Sequence, residues 1–181
     1  MKERLKNIIK KMSYEKREVT LASGRKSSFY FDGKQTTLNG EGAYLTGKLM
    51  FDIIKNYPEI KAVGGPTIGA DPIATSVAMV SFLEKNRINA FIVRKEPKGY
   101  GKKLWIEGNK NLVKGCSVAI VEDVITTGGS ILKAIDIVEN EGYKVALVVV
   151  LVDREEGGRE NIEKAGYKLM SVFKKSDITQ N

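Results

Sequence analysis

The sequence predicts an α/β fold in which a central, mainly parallel sheet is flanked by helices and capped by a small hood from the amino-terminal segment. Three observations predict it. Short apolar runs recur along the chain and read as strands buried on both faces, as at the centre of a parallel sheet. Segments with apolar residues at helical spacing alternate with them, the order that sets parallel strands side by side. The 181 residues suit one domain with a sizeable core, and no internal repeat or low-complexity stretch interrupts them.

In chain order, Lys2 to Met12 mixes acids and bases around an apolar stripe and predicts an amphipathic helix. Val19 to Phe31 reads as hood strands. Ala43 to Ile54 has helical apolar spacing, so a helix is expected over Gly42 to Asn56, followed by a short strand, Lys61 to Val63. A helix over Asp71 to Lys85 and a strand over Ala90 to Val93 come next. The most apolar runs, Ser117 to Val121 and Lys144 to Val152, are the expected central strands. Between them Ile131, Ala134, Ile135 and Val138 recur at i, i+3, i+4 and i+7, a helix over Ser130 to Glu141 that Gly142 ends. A short helix near Glu160 to Ala165 and a strand from Lys168 to Val172 complete the order. The hood is expected over about residues 1–36, the core over about 40–175, and a flexible loop over about 95–105.

The chemistry begins where the run Val118 to Val121 meets two adjacent carboxylates, Glu122 and Asp123. Ligands of open α/β sheets bind beyond the carboxyl ends of the strands, so the pair faces a substrate. Val124 and Ile125 then lead into a turn of small residues, Thr126, Thr127, Gly128, Gly129 and Ser130, which opens onto a helix. Such a turn leaves backbone N–H groups free, admits an anion closely and adds the positive end of the helix. A monophosphate fits it, while sugar hydroxyls can donate to the carboxylates. A buried strand with an ordinary loop would explain the glycines but not the paired carboxylates.

Ile120 to Ser130 closely resembles the phosphoribosyl pyrophosphate (PRPP) signature of the type I phosphoribosyltransferases. The resemblance implies that Glu122 and Asp123 contact the ribose hydroxyls and that the segment from Val124 to Ser130 lies along PRPP, its turn holding the 5-phosphate. It further implies Mg2+, bridging pyrophosphate and sugar and carried by PRPP without a direct protein ligand.

Other segments resemble the orotate branch of that family. Leu21-Ala-Ser-Gly-Arg-Lys-Ser-Ser-Phe-Tyr-Phe-Asp32 is similar to its hood, which would place Lys26, Tyr30 and Phe31 near the base, with Thr126. By itself the segment also reads as a β-hairpin with Gly24 in the turn. Arg94 to Lys103 carries five cations with Gly99 and Gly101. It reads as a mobile lid able to neutralise a leaving pyrophosphate, or as ordinary solvated charge. The family's catalytic loop carries over as Arg94, Lys95 and Lys98 on PRPP, with Lys98 the catalytic lysine. Its histidine does not carry over, because Tyr100 stands there and the chain has no histidine. Lys102 and Lys103 could compensate.

Val152-Asp-Arg-Glu-Glu-Gly-Gly158 is similar to the family's Asp-Arg-x-x-Gly-Gly motif, which implies a bidentate grip of Arg154 on the carboxylate of orotate. Asp153 would orient Arg154, unless the two form a plain surface ion pair. Gly64 to Pro72 matches the family's pyrophosphate loop, with Gly69 where some relatives carry lysine. Gly42-Ala-Tyr-Leu-Thr-Gly-Lys48 has the spacing of a nucleoside-triphosphate loop, but Leu49 replaces the needed hydroxyl and no apolar strand precedes it. It is read as helix, with Lys48 on the surface.

Without histidine, Ser-His-Asp and Cys-His catalysis and imidazole metal sites are excluded. The lone Cys116 has no partner for an internal disulfide and reads as a small buried residue. A net charge of +8 and a pI near 9.4 suit anionic substrates, and would also suit nucleic acid. No membrane-length apolar run occurs and the amino terminus is unlike a signal peptide, so a cytoplasmic protein without membrane or nucleic-acid partners is expected. The resemblance implies transfer of the phosphoribosyl group from PRPP to orotate, giving orotidine 5-monophosphate and pyrophosphate. It also implies a homodimer with the lid acting in trans. The alternatives are a phosphoribosyltransferase for another base and a non-catalytic nucleic-acid-binding regulator on the same fold, which would not need Arg94, Lys95 and Lys98.

Overall fold

The computed structural model describes residues 1–15, 19–20, 26–27, 29–99 and 104–180. Tyr100, Lys102, Lys103, most of Leu21 to Ser28 and the Lys26 side chain, all singled out in the sequence, lie outside the described residues.

Helix α1 (Lys2–Met12) buries Leu5 and Ile9, and four two-residue strands follow as the hood. Of these, β1 (Tyr14–Glu15) pairs antiparallel with β4 (Tyr30–Phe31), and β2 (Val19–Thr20) with β3 (Lys26–Ser27). The core runs α2 (Lys34–Thr37), α3 (Gly40–Ile54), β5 (Ile60–Pro66), α4 (Ala70–Leu83), β6 (Asn89–Lys98) and β7 (Leu104–Glu107). After a 3-10 turn (Asn109–Asn111) come β8 (Ser117–Ile125), α5 (Gly129–Asn140), β9 (Lys144–Asp153), α6 (Gly158–Lys164), β10 (Leu169–Lys174) and α7 (Lys175–Thr179).

Six strands form the sheet in the order β10-β9-β8-β5-β6-β7, all parallel except β7 against β6. The pleat sends alternate residues to opposite faces. Ala119, Val121, Leu147 and Val149 join one core with α1, α3 and α4. Val118, Ile120, Val148 and Val150 join the other with α5 and α6. In α5 the buried residues are Ile131, Ala134, Ile135 and Val138, the stripe expected from the sequence. Fully burying an Ile or Val side chain stabilises by about 1.5–3 kcal/mol, so these anchors fix α5, and with it the turn at its start, on the sheet.

Some boundaries differ from expectation. Gly64 to Pro66, read as loop, pair with β6 as strand, leaving Thr67 to Gly69 as the loop before α4. The segment Arg94 to Lys98, read as loop, continues β6 and pairs antiparallel with β7, with Lys98 opposite Leu104. Lys48 lies in α3 but is largely covered, its ammonium 2.7 Å from Asp52 and 2.6 Å from Glu84 of the α3–α4 contact. Cys116 is half-buried rather than buried, and burial pushes its thiol pKa up.

Candidate active site

β8 creates the site by losing a neighbour. Its ladder with β5 stops at Gly64↔Ile120, whereas its ladder with β9 continues through Glu122↔Val150 and Val124↔Val152 to Ile125↔Asp153. Glu122 and Asp123 are therefore strand residues, not the residues after a strand. On the β5 side they open onto the Thr67–Gly69 loop. The side chain missing at Gly69 matters here, since a Cβ there would fall on Glu122 Oε1. Glycine here lets the loop approach both carboxylates closely.

The two carboxylates lie at the bottom of a cleft of about 800 Å³. Its walls include Thr67, Gly69, Arg94 and Lys95 on one side and the whole run from Val124 to Ser130 on the other, with Lys34 and Lys133. Gly128 begins α5 with φ +83°, a left-handed conformation that glycine adopts without strain, and it turns the small-residue segment beneath the helix start. Arg94 is tied to Glu107 of β7, Nη1 to Oε1 2.9 Å.

Burial first, then the adjacent Asp123 charge, pushes the Glu122 carboxyl up to about 9. Burial also raises Asp123, against the pull of Lys34. The pair therefore resists carrying two charges in neutral solution. A folded-state pKa above the unfolded one makes a stabilising contribution that is complete below about pH 4.5 and is lost as pH rises toward 9. The ligand-free protein should lose thermal stability across that window. Glu122→Gln should flatten the loss and be more stable than wild type near pH 9 by about 1–3 kcal/mol. Parallel melting curves against pH for the two proteins would contradict this.

Of the predicted base-binding residues that are described, Tyr30, Phe31 and Arg154 lie outside the cleft walls and Thr126 belongs to them. One residue from Thr126, the Arg154 backbone N–H donates to Ile125 O at 3.0 Å. The Arg154 guanidinium is buried beneath the hood, 5.2 Å from the Phe29 ring centroid, and donates through Nη2 to Phe29 O at 3.4 Å. It pairs with Glu156, Nη2 to Oε1 2.9 Å. Asp153 does not orient Arg154. Its carboxylate accepts from Glu155 N at 2.9 Å and from Arg159 Nε at 3.0 Å, bracing the turn after β9. Phe31 is buried against Phe29 with stacked rings 6.0 Å apart, and Tyr30 is half-buried beside it. Lys98 is exposed at the end of β6 and is not among the cleft walls of its own chain.

Sequence reasoning missed four residues that organise this region. Phe29 and Glu156 hold Arg154, Lys175 of α7 places its ammonium 5.1 Å from the Phe29 ring, and Lys34 borders the carboxylate pair. Alternation along the hood could have nominated Phe29. Glu156 lies two residues from Arg154 in the same turn, whereas the Lys34 and Lys175 contacts arise only from tertiary packing.

The phosphoribosyl transferase domain family matches residues 5–173. The orotate phosphoribosyltransferase of Aquifex aeolicus (strain VF5) is 49% identical over 181 residues, covering 98% of this chain and 97% of that one. Mycobacterium tuberculosis H37Rv orotate phosphoribosyltransferase, solved with Fe(III) dicitrate, superposes with a TM-score of 0.86 at 36% identity, covering 98% of each chain. The same enzyme solved with PRPP gives a TM-score of 0.81 at 35% identity, covering 98% of each chain. With the signature lining the cleft and the Asp-Arg turn beside it, the chain belongs to the orotate phosphoribosyltransferases of the phosphoribosyl transferase domain family.

Proposed function

We propose that the chain transfers the 5-phosphoribosyl group of PRPP to orotate, releasing pyrophosphate and orotidine 5-monophosphate for pyrimidine nucleotide synthesis in the cytoplasm. One observation carries this reading. The buried carboxylate pair and the phosphate-sized turn share a cleft, and Arg154 abuts it beside Thr126 under an aromatic hood.

In this reading the ribose hydroxyls donate to Glu122 and Asp123 while the amides from Thr126 to Ser130 receive the 5-phosphate. Arg94 and Lys95 face the pyrophosphate. As the glycosidic C–O bond breaks, its electron pair leaves with pyrophosphate and positive charge grows on the sugar. The carboxylates beneath the ring stabilise that charge, and the cations of the lid stabilise the leaving group. A ring nitrogen of orotate then attacks from the opposite face, its proton passing to the released pyrophosphate or to solvent, so the anomeric centre inverts. Arg154 holds the orotate carboxylate with two parallel donors, and Tyr30 and Phe31 belong to the hood over the base.

Mg2+ fits the donor set. Its partners would be the substrate's own oxygens, since Mg2+ characteristically binds substrate phosphates while keeping several waters. When bound, it would offset the charge of the leaving group.

A homodimer with the lid acting in the neighbouring site accounts for two features. Lys98 stands at the end of β6 and does not line its own cleft. Met79, Phe82 and Leu83 of α4 are 63%, 62% and 71% exposed, an apolar face suited to a second copy.

The test is pyrophosphate release from PRPP and Mg2+ with a panel of bases. Orotate should support turnover, while uracil, which lacks the carboxylate, and adenine should fall at least about a hundredfold below it in kcat/KM. Turnover with adenine instead would point to a different base. PRPP binding without turnover on any base would point to a regulator.

A further inference from the structure

Lys34 takes no part in the proposed transfer, yet it stands in the cleft wall. Three contacts fix it there. Gly33, the residue before α2, lies so close to the site that an added Cβ would come within 2.7 Å of Asp123 Cβ and Oδ2. Asp32 accepts from Lys34 N at 3.2 Å and from Gln35 Nε2 at 3.2 Å, locking the start of α2. The Lys34 ammonium then sits 2.6 Å from Asp32 Oδ1 and 3.9 Å from Asp123 Oδ2.

Among the described residues, Lys34 alone brings a cation within ion-pair reach of the carboxylate pair. Its side chain is 42% exposed toward the cleft, whereas that of Asp123 is 7% exposed. Among the described residues, the other charges around Asp123 are Glu122 on its own strand, Asp32 beside Lys34, Arg94 and Lys95 on β6, and Lys133 on α5, with the Tyr30 hydroxyl near Lys34. The two acids oppose a second negative charge, and the β6 and α5 cations belong to the phosphate ends of the cleft. Lys34 is thus the group placed to balance the carboxylate that meets the sugar.

We propose that Lys34 is a positioning residue of the sugar subsite, held by Asp32 as the counter-ion of Asp123, so that the segment between hood and core sets the charge and orientation of the carboxylate that accepts the ribose hydroxyls. This rests on the phosphoribosyl-transfer reading. With Asp32 in place, the ammonium is shared between two carboxylates rather than committed to one. It can shift toward Asp123 when that group carries its full charge, without leaving Asp32. The alternative role, a surface cation that merely caps α2 through Asp32, would leave Asp123 unaffected.

The test measures kcat and the KM for PRPP against pH for wild type, Lys34→Gln and Lys34→Arg, with melting temperatures alongside. Wild-type turnover first establishes the reaction, and its absence would sink the underlying reading rather than this one. Given turnover, Lys34→Gln should raise the KM for PRPP by roughly tenfold, with kcat changed less than about threefold, since an opposite charge at this range shifts an Asp by one or more pKa units. The acid limb of kcat/KM for PRPP should move up by about one pH unit, and Lys34→Arg should restore most of both effects. Because the side chain is half-exposed, the melting temperatures should stay close to wild type. An unmoved acid limb in Lys34→Gln, or a loss that Lys34→Arg does not rescue at unchanged stability, overturns the proposal.

Discussion

Arg154→Ala is expected to raise the KM for orotate by about a hundredfold to a thousandfold, with the KM for PRPP changed less than about threefold. Two charge-assisted bonds to a carboxylate are lost, each contributing about 1.5–3 kcal/mol, and every 1.4 kcal/mol is tenfold. The position cannot be filled from solvent, because Arg154 is 6% exposed and covered by Phe29. A lysine ammonium would offer a point charge without the planar fork, so Arg154→Lys should recover little. The alanine substitution also leaves Glu156 without its guanidinium and removes the cation beneath the Phe29 ring, so a modest loss of thermal stability should accompany it. Unchanged orotate kinetics in the folded variant would remove Arg154 from the base site.

Lys98→Ala should lower kcat by about a hundredfold to a thousandfold while the KM for orotate stays within about threefold, because the charge it neutralises develops as pyrophosphate leaves. The residue ends β6, opposite Leu104 of β7, and does not line the cleft of its own chain. If it serves the neighbouring site, mixing the Lys98→Ala and Arg154→Ala chains should regenerate activity that neither has alone. A mixed dimer then owns one site with both residues intact. With random pairing half the dimers are mixed, so recovery should approach about a quarter of wild type. No recovery after exchange of subunits would place the lid on its own cleft.

Much of this architecture was legible in the sequence, where side-chain pattern and packing obey the same geometry. The bounds read for α1, Lys2 to Met12, coincide with those observed, and the stripe of α5 is the one buried. The carboxylate pair and the turn after it were legible as a site because their residue types have little other use together. The extent of β8 was not. Two charges end the apolar run at Val121, but backbone pairing to β9 carries the strand on to Ile125 regardless of side chain. The antiparallel strand β7 and the short helices α2 and α7 were missed for a related reason. Four or five residues carry too little periodicity to register, and these elements are held by β6, α3 and β10. In the Asp-Arg turn, sequence adjacency suggested that Asp153 orients Arg154. The strand geometry instead gives Asp153 to Arg159 and Arg154 to Glu156. Lys34 gave no signal at all, since its meaning depends on Gly33 lying against Asp123 across ninety positions of chain.

The most direct test of the central claim is the fall in orotate absorbance when the protein is mixed with orotate, PRPP and Mg2+. The account predicts consumption of one orotate for each PRPP and each pyrophosphate released, lost when PRPP is omitted and sharply reduced in Lys98→Ala and Arg154→Ala. Orotate that persists at full absorbance while the protein binds PRPP tightly would contradict it.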